Sequence, residues 1–460
     1  MSKAIHLTKK TLVASGLAIL MAFTADAANS DSVLFTNVDI FDGVNEELLK
    51  NHQVLIDGNK IKRISAEPIE VGAGAQVIDG DGRTLMPGMI DVHTHLAITT
   101  SLADIHGNIT PEENAIRTTV IARQFLDDGF TTVRDVGGNT FALKRSIDSG
   151  LIPGPRIYPS GAFLSQTSGH GDFRTPAEPH PHTGHIDAGH RLKMGIVADG
   201  KAEVYRAVRE NLRQGATQIK MMASGGAGSD FDPIDSLQFQ PEEQKAAVAA
   251  AADWGTYVTA HLLSDAAIDR ALDSGVMCVD HGLLIKERSV KKLIKKGAFL
   301  ASQFNAVSPR LQEFPGLNQL NVQKIITAQQ DMADLVPLIK KYKPKVPFAV
   351  DAFGPPENHI RQRRYELYWV AELFGNYETL RRATSVSAEL VAMSGPRNPY
   401  GRVGRIEEGA MADILLIDGN PLEDISLVGA DSGWWDAGTE SIDTMPLIMK
   451  DGKIYKNNLN

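Results

Sequence analysis

A chain of 460 residues with a single cysteine, Cys278, cannot close a disulfide within itself. Its stability therefore comes from packing, whatever the redox state of its compartment. Basic charge is also in short supply: 47 Lys and Arg face 56 Asp and Glu, a formal net charge of −9. Nucleic acid and anionic membrane both select a basic face, so this balance argues against either as a partner. Long apolar runs are missing beyond the first residues, so the remainder reads as free of membrane spans and soluble.

The one apolar run is "TLVASGLAILMAFTA", which follows Lys3, Lys9 and Lys10 and precedes Ala25-Asp26-Ala27. Basic residues, a short apolar core and a small-x-small triplet make the pattern of an export leader. A membrane anchor needs about 20 apolar residues, and this run is shorter. The expectation is a signal peptide over 1–27 and an exported protein, periplasmic or secreted, beginning near Ala28. Removing that leader brings the net charge to about −11.

What is present falls into two textures. From about Ser32 to Gly82, and again in "ADILLIDGNP" and "PLIMKDGKIYKN", β-rich runs are separated by Asp-Gly and Gly-Asn pairs, as hairpins require. The middle alternates strand-like runs ("GMIDVHTH", "FTTVRDVGG", "PRIYPSGAFLS", "TQIKMMASGG", "TYVTAHLL", "VMCVDHG", "AFLASQFN", "PFAVDAFG") with helix-like ones such as "EEQKAAVAAAADWG". Eight strands with intervening helices predict an α/β fold, a (β/α)8 TIM-like barrel, over 87–402. The two ends, 28–86 and 403–460, are expected to meet in one small β-sandwich domain.

Strand ends carry the chemistry. His93 and His95 are two apart at the end of the first barrel strand and so share a face. Lys220 lies in the fourth strand, His261 and His281 end the fifth and sixth, and Asp351 sits in the eighth. In a barrel these positions converge on one end. Neutral imidazoles and a carboxylate suit zinc or a similar divalent ion. A lysine ammonium cannot ligate a cation, but its CO2 adduct, a carbamate, can bridge two. The alternative is a lysine paired with Asp351 or capping a helix. Its apolar flanks, Ile219, Met221 and Met222, favour the neutral amine that reacts.

The set "PGMIDVHTHL", "IKMMASGG", "VTAHLLSDAAIDRALDSGVMCVDHG", "FAVDAFG" and "GRIEEGAMADILLIDGNPLEDI" resembles the amidohydrolase superfamily. More narrowly it resembles the imidazolonepropionase-related branch, with Xaa-Pro dipeptidases, carboxypeptidase-like enzymes and ochratoxinase-type amidases. The resemblance implies two divalent ions, zinc with manganese or cobalt also suited. His93, His95 and Asp351 would hold one, His261 and His281 the other, with carboxylated Lys220 bridging. Two ions sharing a water lower its pKa, and Asp351 would act as general base and then acid. Hydrolysis of an amide or related C–N bond follows as the reaction class.

Signals on the substrate side are thinner. "QTSGHGD" resembles the Gly-Gly-His-Gly element of these relatives, with Ser168 in place of the first glycine. His170 would then help to hold the carbonyl oxygen or a substrate carboxylate; the alternative is a loop histidine in solvent. His180, His182, His185 and His190 read as a mobile lid rather than a third metal site. Asp135 is either a partner that orients a ligand or half of a buried ion pair with Arg134. Gln303 and Asn305 are candidate pocket-lining groups. In "RQRRYELYW" (361–369) an arginine can bind a carboxylate, although a solvated helix face is the default for a charge run.

The expected substrate is a small carboxylate-bearing amide, such as a dipeptide or an N-acyl amino acid, and a homo-oligomer is expected by resemblance. A cyclic amidohydrolase opening an imidazolone, hydantoin or lactone ring is the alternative. A barrel that has lost catalysis and serves as a scaffold is a remote third, since all six ligand positions are filled.

Overall fold

A computed structural model describes residues 32–101, 109–313 and 319–459. The expected leader lies outside the described residues. The N-terminal stretch supplies β1 (Ser32–Ile40), β2 (Leu49–Asp57), β3 (Lys60–Ser65), β4 (Gln76–Asp79) and β5 (Thr84–Pro87). The middle supplies β6 (Met89–Thr94), β7 (Phe130–Asp135), β8 (Arg156–Pro159), β9 (Phe163–Ser165), β10 (Gly195–Val197), β11 (Ile219–Met222), β12 (Val258–Ser264), β13 (Cys278–Leu284) and β14 (Phe299–Ala301). The C-terminal stretch adds β15 (Ile414–Ile417), β16 (Leu447–Lys450) and β17 (Lys453–Asn457).

Strands from both ends form one sheet in the order β17-β16-β15-β5-β1-β2-β3, with β4 also on β1. It is a single hydrogen-bonded sheet that joins the two ends, whose buried side chains share one core. The reason is β5, which pairs parallel with β1 and antiparallel with β15 and so splices the two ends together. Hairpin chemistry fixes its turns. Gly58 (φ +58) fills the first central position of the two-residue β2–β3 turn, as a type II′ turn requires. Asp451 and Gly452 (φ +55 and +71) both take the left-handed region in the β16–β17 turn, the type I′ geometry.

The middle is mixed α/β with parallel strands in two sheets, β6-β7-β8 and β10-β9-β11-β12-β13-β14. Nearly every residue of β6, β7, β8, β11, β12 and β13 is buried, because helices cover one face and side chains fill the other. The stretch "PRIYPSGAFLS" makes two strands rather than one, since Gly161 turns the backbone at φ +72 between β8 and β9. β10 is a strand the sequence does not announce.

"PFAVDAFG", expected as the eighth barrel strand, is extended but forms only one isolated parallel bridge, Ala352 with Thr94, while Lys345 just before it bridges Phe299. Pro347 has no N–H to give a ladder, and Asp351 leaves the strand region at φ +59. Single hydrogen bonds nevertheless carry the segment across the gap: Leu300 N to Lys345 O, Val92 N to Phe348 O, and Asp351 N to His93 O at 2.9 Å. At the other gap, Thr217 N, just before β11, bonds Pro159 O at the end of β8. Both sheets are thereby linked edge to edge.

"RQRRYELYW" lies in the helix Pro356–Phe374, and its charge run is not a solvated face. Arg363 and Arg364 are buried, and both donate to Asp128, at 2.6 and 2.9 Å. That carboxylate sits at the end of the helix Pro111–Asp127, more than 200 positions earlier, so nothing local signals the pairing.

Candidate metal centre and its cavity

The ends of β6, β11, β12, β13 and the bridged segment 345–352 open into one cavity of about 210 Å³. His93, His95, Lys220, His261, His281 and Asp351 all line it, as do His170, Gln303 and Asn305. Parallel strands bring these residues together because each sits at the same end of its strand.

Within the cluster the spacing is uneven. Asp351 Oδ1 lies 3.4 Å from His93 Nε2 and 3.2 Å from His95 Nε2, and its Oδ2 lies 3.8 Å from His281 Nδ1. His93, His281 and Asp351 present ligand atoms within 4.8 Å of one another. This tight group draws His281 from the pair that the sequence assigns to a second ion. His261 packs its ring on His281, with centroids 4.4 Å apart. His281 and Asp351 both adopt left-handed backbone (φ +68 and +59), which His and Asp tolerate better than most residues and which re-aims side chains at a site.

Electrostatics keep the imidazoles in the form that ligates. Burial, with the charge of Lys220 added, pushes His93 down to about 4. Burial likewise pushes His281 to about 3 and His261 well below the ordinary histidine range. Burial alone would raise Asp351, but His93, His95 and His281 around it hold its carboxyl far below the usual carboxylate range. Both ring nitrogens of His93 and Nδ1 of His95 are buried without a hydrogen-bond partner among the described residues. Buried polar atoms are nearly always paired, so bare nitrogens beside a carboxylate fit a divalent cation, and the donor set passes that test.

Lys220 does not take the partner that the alternative reading gives it. Its Nζ lies 2.5 Å from Asp280 Oδ2, not on Asp351 and not at a helix end. Asp280 also accepts from Arg134 at 2.8 Å and from Thr259 at 2.8 Å, and lies 3.6 Å from His93 Nδ1. Burial would raise its carboxyl, but Lys220 and Arg134 hold it well below the ordinary range. Sequence reasoning passes over Asp280 because its neighbour His281 draws the attention; its place two residues beyond buried Cys278 on β13 was the available signal.

Arg134 thus pairs with Asp280 rather than with Asp135. Asp135 Oδ1 instead accepts from Leu96 N at 2.9 Å and its Oδ2 from Thr140, so it fixes the backbone just past His95. Burial raises its carboxyl to about 6, against the lowering effect of the Leu96 bond.

His170 lines the cavity and stacks on His261, with ring centroids 4.0 Å apart. Its Nδ1 meets Ser229 Oγ at 2.7 Å and Asp232 Oδ2 at 3.3 Å, two residues the sequence did not single out. Ser229 gives its hydroxyl proton to Asp232, so His170 presents Nδ1–H and keeps Nε2 for a ligand. Gln303 Oε1 lies 2.8 Å from His281 Nδ1, and Asn305 Nδ2 donates to Val350 O.

The His-rich loop gathers no shared ligand group. His180 faces Asp199, His182 Glu203, His185 Glu178 and His190 Asp187, four separate pairs. No arginine of 361–364 reaches the cavity, where the helix instead offers Gln362. Trp434 also lines the wall, from a part of the sequence assigned to the terminal β domain, and no local signal marks it.

The chain is similar to known proteins. The model of the Amidohydrolase family matches residues 84–438. The ochratoxinase of Aspergillus niger is 32% identical over 360 residues, covering 75% of this chain and 72% of the fungal protein. A prolidase crystallised with N-methylphosphonate-L-proline superposes at a TM-score of 0.82 with 36% identity, covering 93% of this chain and 100% of that one. A Xaa-Pro dipeptidase with methionine bound in its active site gives 0.77 and 26%, with coverages of 93% and 100%. With more than half its length matched, the chain belongs to the amidohydrolase family and is a hydrolase of amide C–N bonds.

Proposed function

We propose that this protein is a binuclear metal-dependent hydrolase of small carboxylate-bearing amides, such as dipeptides or N-acyl amino acids. The observation that carries the reading is the bare, buried ring nitrogens of His93 and His95 beside Asp351, with His281 in the same tight group. We infer further that the two linked parallel sheets form a (β/α)8 barrel, with the sheet of both termini as its second domain.

In this reading His93, His95, His261, His281 and Asp351 would hold two divalent ions, zinc by preference with manganese or cobalt also suited, and Lys220, once carboxylated by CO2, would be the ligand common to both. When bound, the ions polarise the scissile carbonyl and acidify a water molecule. Asp351 takes that water's proton and returns it to the amine nitrogen as the C–N bond breaks; without this return the amine is a poor leaving group. His170, held through Nδ1 by Ser229 and Asp232, helps to hold the carbonyl oxygen or a substrate carboxylate with its other ring nitrogen. For Lys220 to bridge, its nitrogen leaves Asp280, whose charge then rests on Arg134 and Thr259.

Metal content of the purified protein tests this, measured by inductively coupled plasma mass spectrometry beside Lys220→Ala. About two ions per chain, falling in the variant, together with turnover on a dipeptide and N-acyl amino acid panel, supports it. One ion in both proteins refutes the bridged site, and none refutes metal catalysis. Export is part of the proposal and is checked by sequencing the N-terminus of protein made in cells, expected at Ala28. A homo-oligomer is checked by light scattering.

A further inference from the structure

The loop 226–232, beside the cavity, is held by one ammonium. Lys324 Nζ donates to the carbonyls of Gly226, Ser229 and Asp232, at 3.2, 2.7 and 2.8 Å, and so grips the loop at both ends and in the middle. A lysine ammonium has three donors, and all are spent here on backbone. Asn321, one turn earlier on the same helix Gln319–Met332, donates to Ala227 O at 2.5 Å. That helix buries a stripe of Asn321, Ile325, Ala328 and Met332, and two of these, Ile325 and Met332, line the cavity.

The loop in turn holds His170 twice, and Asp232 is common to both grips. Asp232 Oδ1 takes the Ser229 hydroxyl proton, and Ser229 Oγ meets His170 Nδ1 at 2.7 Å. Asp232 Oδ2 accepts from Gln238 Nε2 at 3.2 Å, while Gln238 Oε1 accepts from His170 N at 2.8 Å. The same Oδ2 accepts from Gly226 N at 2.9 Å and closes the loop on itself. Burial would raise this carboxyl, but the bonds of His170 and Ser229 and the charge of Lys324 lower it below the ordinary carboxylate range. The His170 ring also packs directly on Gly226, where a Cβ would come within 2.1 Å. Ring, hydroxyl and carboxylate therefore all take their places from the backbone that Lys324 holds. Without the ammonium, three carbonyls would converge on one point with no donor, a costly arrangement that moving the loop relieves.

We propose that Lys324 is a positioning residue: through the loop 226–232 it fixes the place of the His170 ring in the cavity, and so ties the helix that walls the cavity to the group that faces the substrate. Placement of the ring concerns the protein alone; only its consequence for turnover rests on the hydrolase reading.

Hydrogen exchange followed by mass spectrometry, on the metal-loaded wild type and Lys324→Met, tests the placement. Methionine keeps a long unbranched side chain and removes the donors. Amides of 225–238 and 166–172 are expected to exchange about tenfold faster or more, with metal content and the protection of β11 and β12 as in wild type. On an amide that wild type turns over, kcat/KM should fall about tenfold to a hundredfold. Lys324→Cys, alkylated to completion with 2-bromoethylamine, regains an ammonium at the length of lysine, the other cysteine, Cys278, being buried. It should recover both the protection and the turnover, and the untreated variant neither. Faster exchange confined to 319–332 would show a helix merely loosened and overturns the proposal. So does a loosened loop with kcat/KM unchanged, or alkylation that restores nothing. A wild type inactive on every amide, with exchange in Lys324→Met spreading to 166–172, sinks the hydrolase reading and leaves the placement of His170 standing. Turnover with Lys324→Met matching wild type in both readings does the reverse.

Discussion

Asp128→Asn strips the counter-charge from two buried arginines at once. Arg363 and Arg364 keep side-chain exposures of 0% and 9%, and both forks converge on this carboxylate at 2.6 and 2.9 Å. Beyond Asp128, Arg363 has only the carbonyls of His359 at 3.1 Å and Gln124 at 3.4 Å among the described residues, and its guanidinium lies 4.0 Å from the Phe125 ring centre. Water therefore cannot take over from the lost charge. Removing one partner of a buried pair costs about 3–5 kcal/mol. Asparagine keeps one oxygen for one fork and turns an amide N–H₂ on the other, so a loss of about 3–4 kcal/mol is expected. Urea unfolding followed by circular dichroism, extrapolated linearly to water, measures it. Adding Arg363→Met to Asp128→Asn should cost less than the sum of the two single changes by about 1–2 kcal/mol, because the second change removes a charge already stranded. A loss below about 1 kcal/mol, or strict additivity, would refute the view of this triad as a buried, mutually dependent unit.

Two other changes give separate checks. Asp187 caps the helix Ala188–Arg191 and meets His190 Nδ1 at 2.6 Å; burial would raise its carboxyl, but the His190 bonds bring it to about 2. Its folded pKa lies below the unfolded value, so its contribution, on the order of 2 kcal/mol, is present above about pH 4 and is lost as pH falls through 2. Thermal melts from pH 5 to pH 2 should fall more steeply for wild type than for Asp187→Asn, and equal slopes contradict the pairing. A Cβ at Gly226 would come within 2.1 Å of the His170 ring, so Gly226→Ala should displace His170 and cut kcat/KM by about a hundredfold with metal content unchanged. Full activity in that variant would remove His170 from the chemistry.

How much of this the sequence discloses follows a physical line. Position along a parallel strand is encoded locally, so residues that end such strands (His93, His95, His261, His281) can be brought together before any coordinates exist. Partners across the fold are not encoded that way. Nothing near Arg363 names Asp128, so a buried triad reads as a wet charge run. Asp280 is plain in "VDHG", but that it rather than Asp351 takes Lys220 depends on how β11 and β13 face each other across the interior. Pro347 and the left-handed Asp351 break the last strand for reasons visible in single residues, yet the hydrophobic run around them still looks like a strand. Trp434 lies outside any periodic element, and its place on the cavity wall follows from a loop's path.

The strand β5 has a consequence in time. One of its edges pairs with β1, which is synthesised before it, but the other waits for β15, which begins 330 positions after β5 does. At roughly 5–20 residues per second, that edge of Thr84–Pro87 stays open for about 15–65 s on every new chain. Its four residues end fully buried, so while it waits it is an apolar strand edge of the kind that templates aggregation. Synthesis that stops anywhere before Ile414 leaves this edge open permanently, however complete the ligand cluster already is. Solubility of nascent and truncated chains is thus set by the last tenth of the sequence rather than by the part that carries the chemistry.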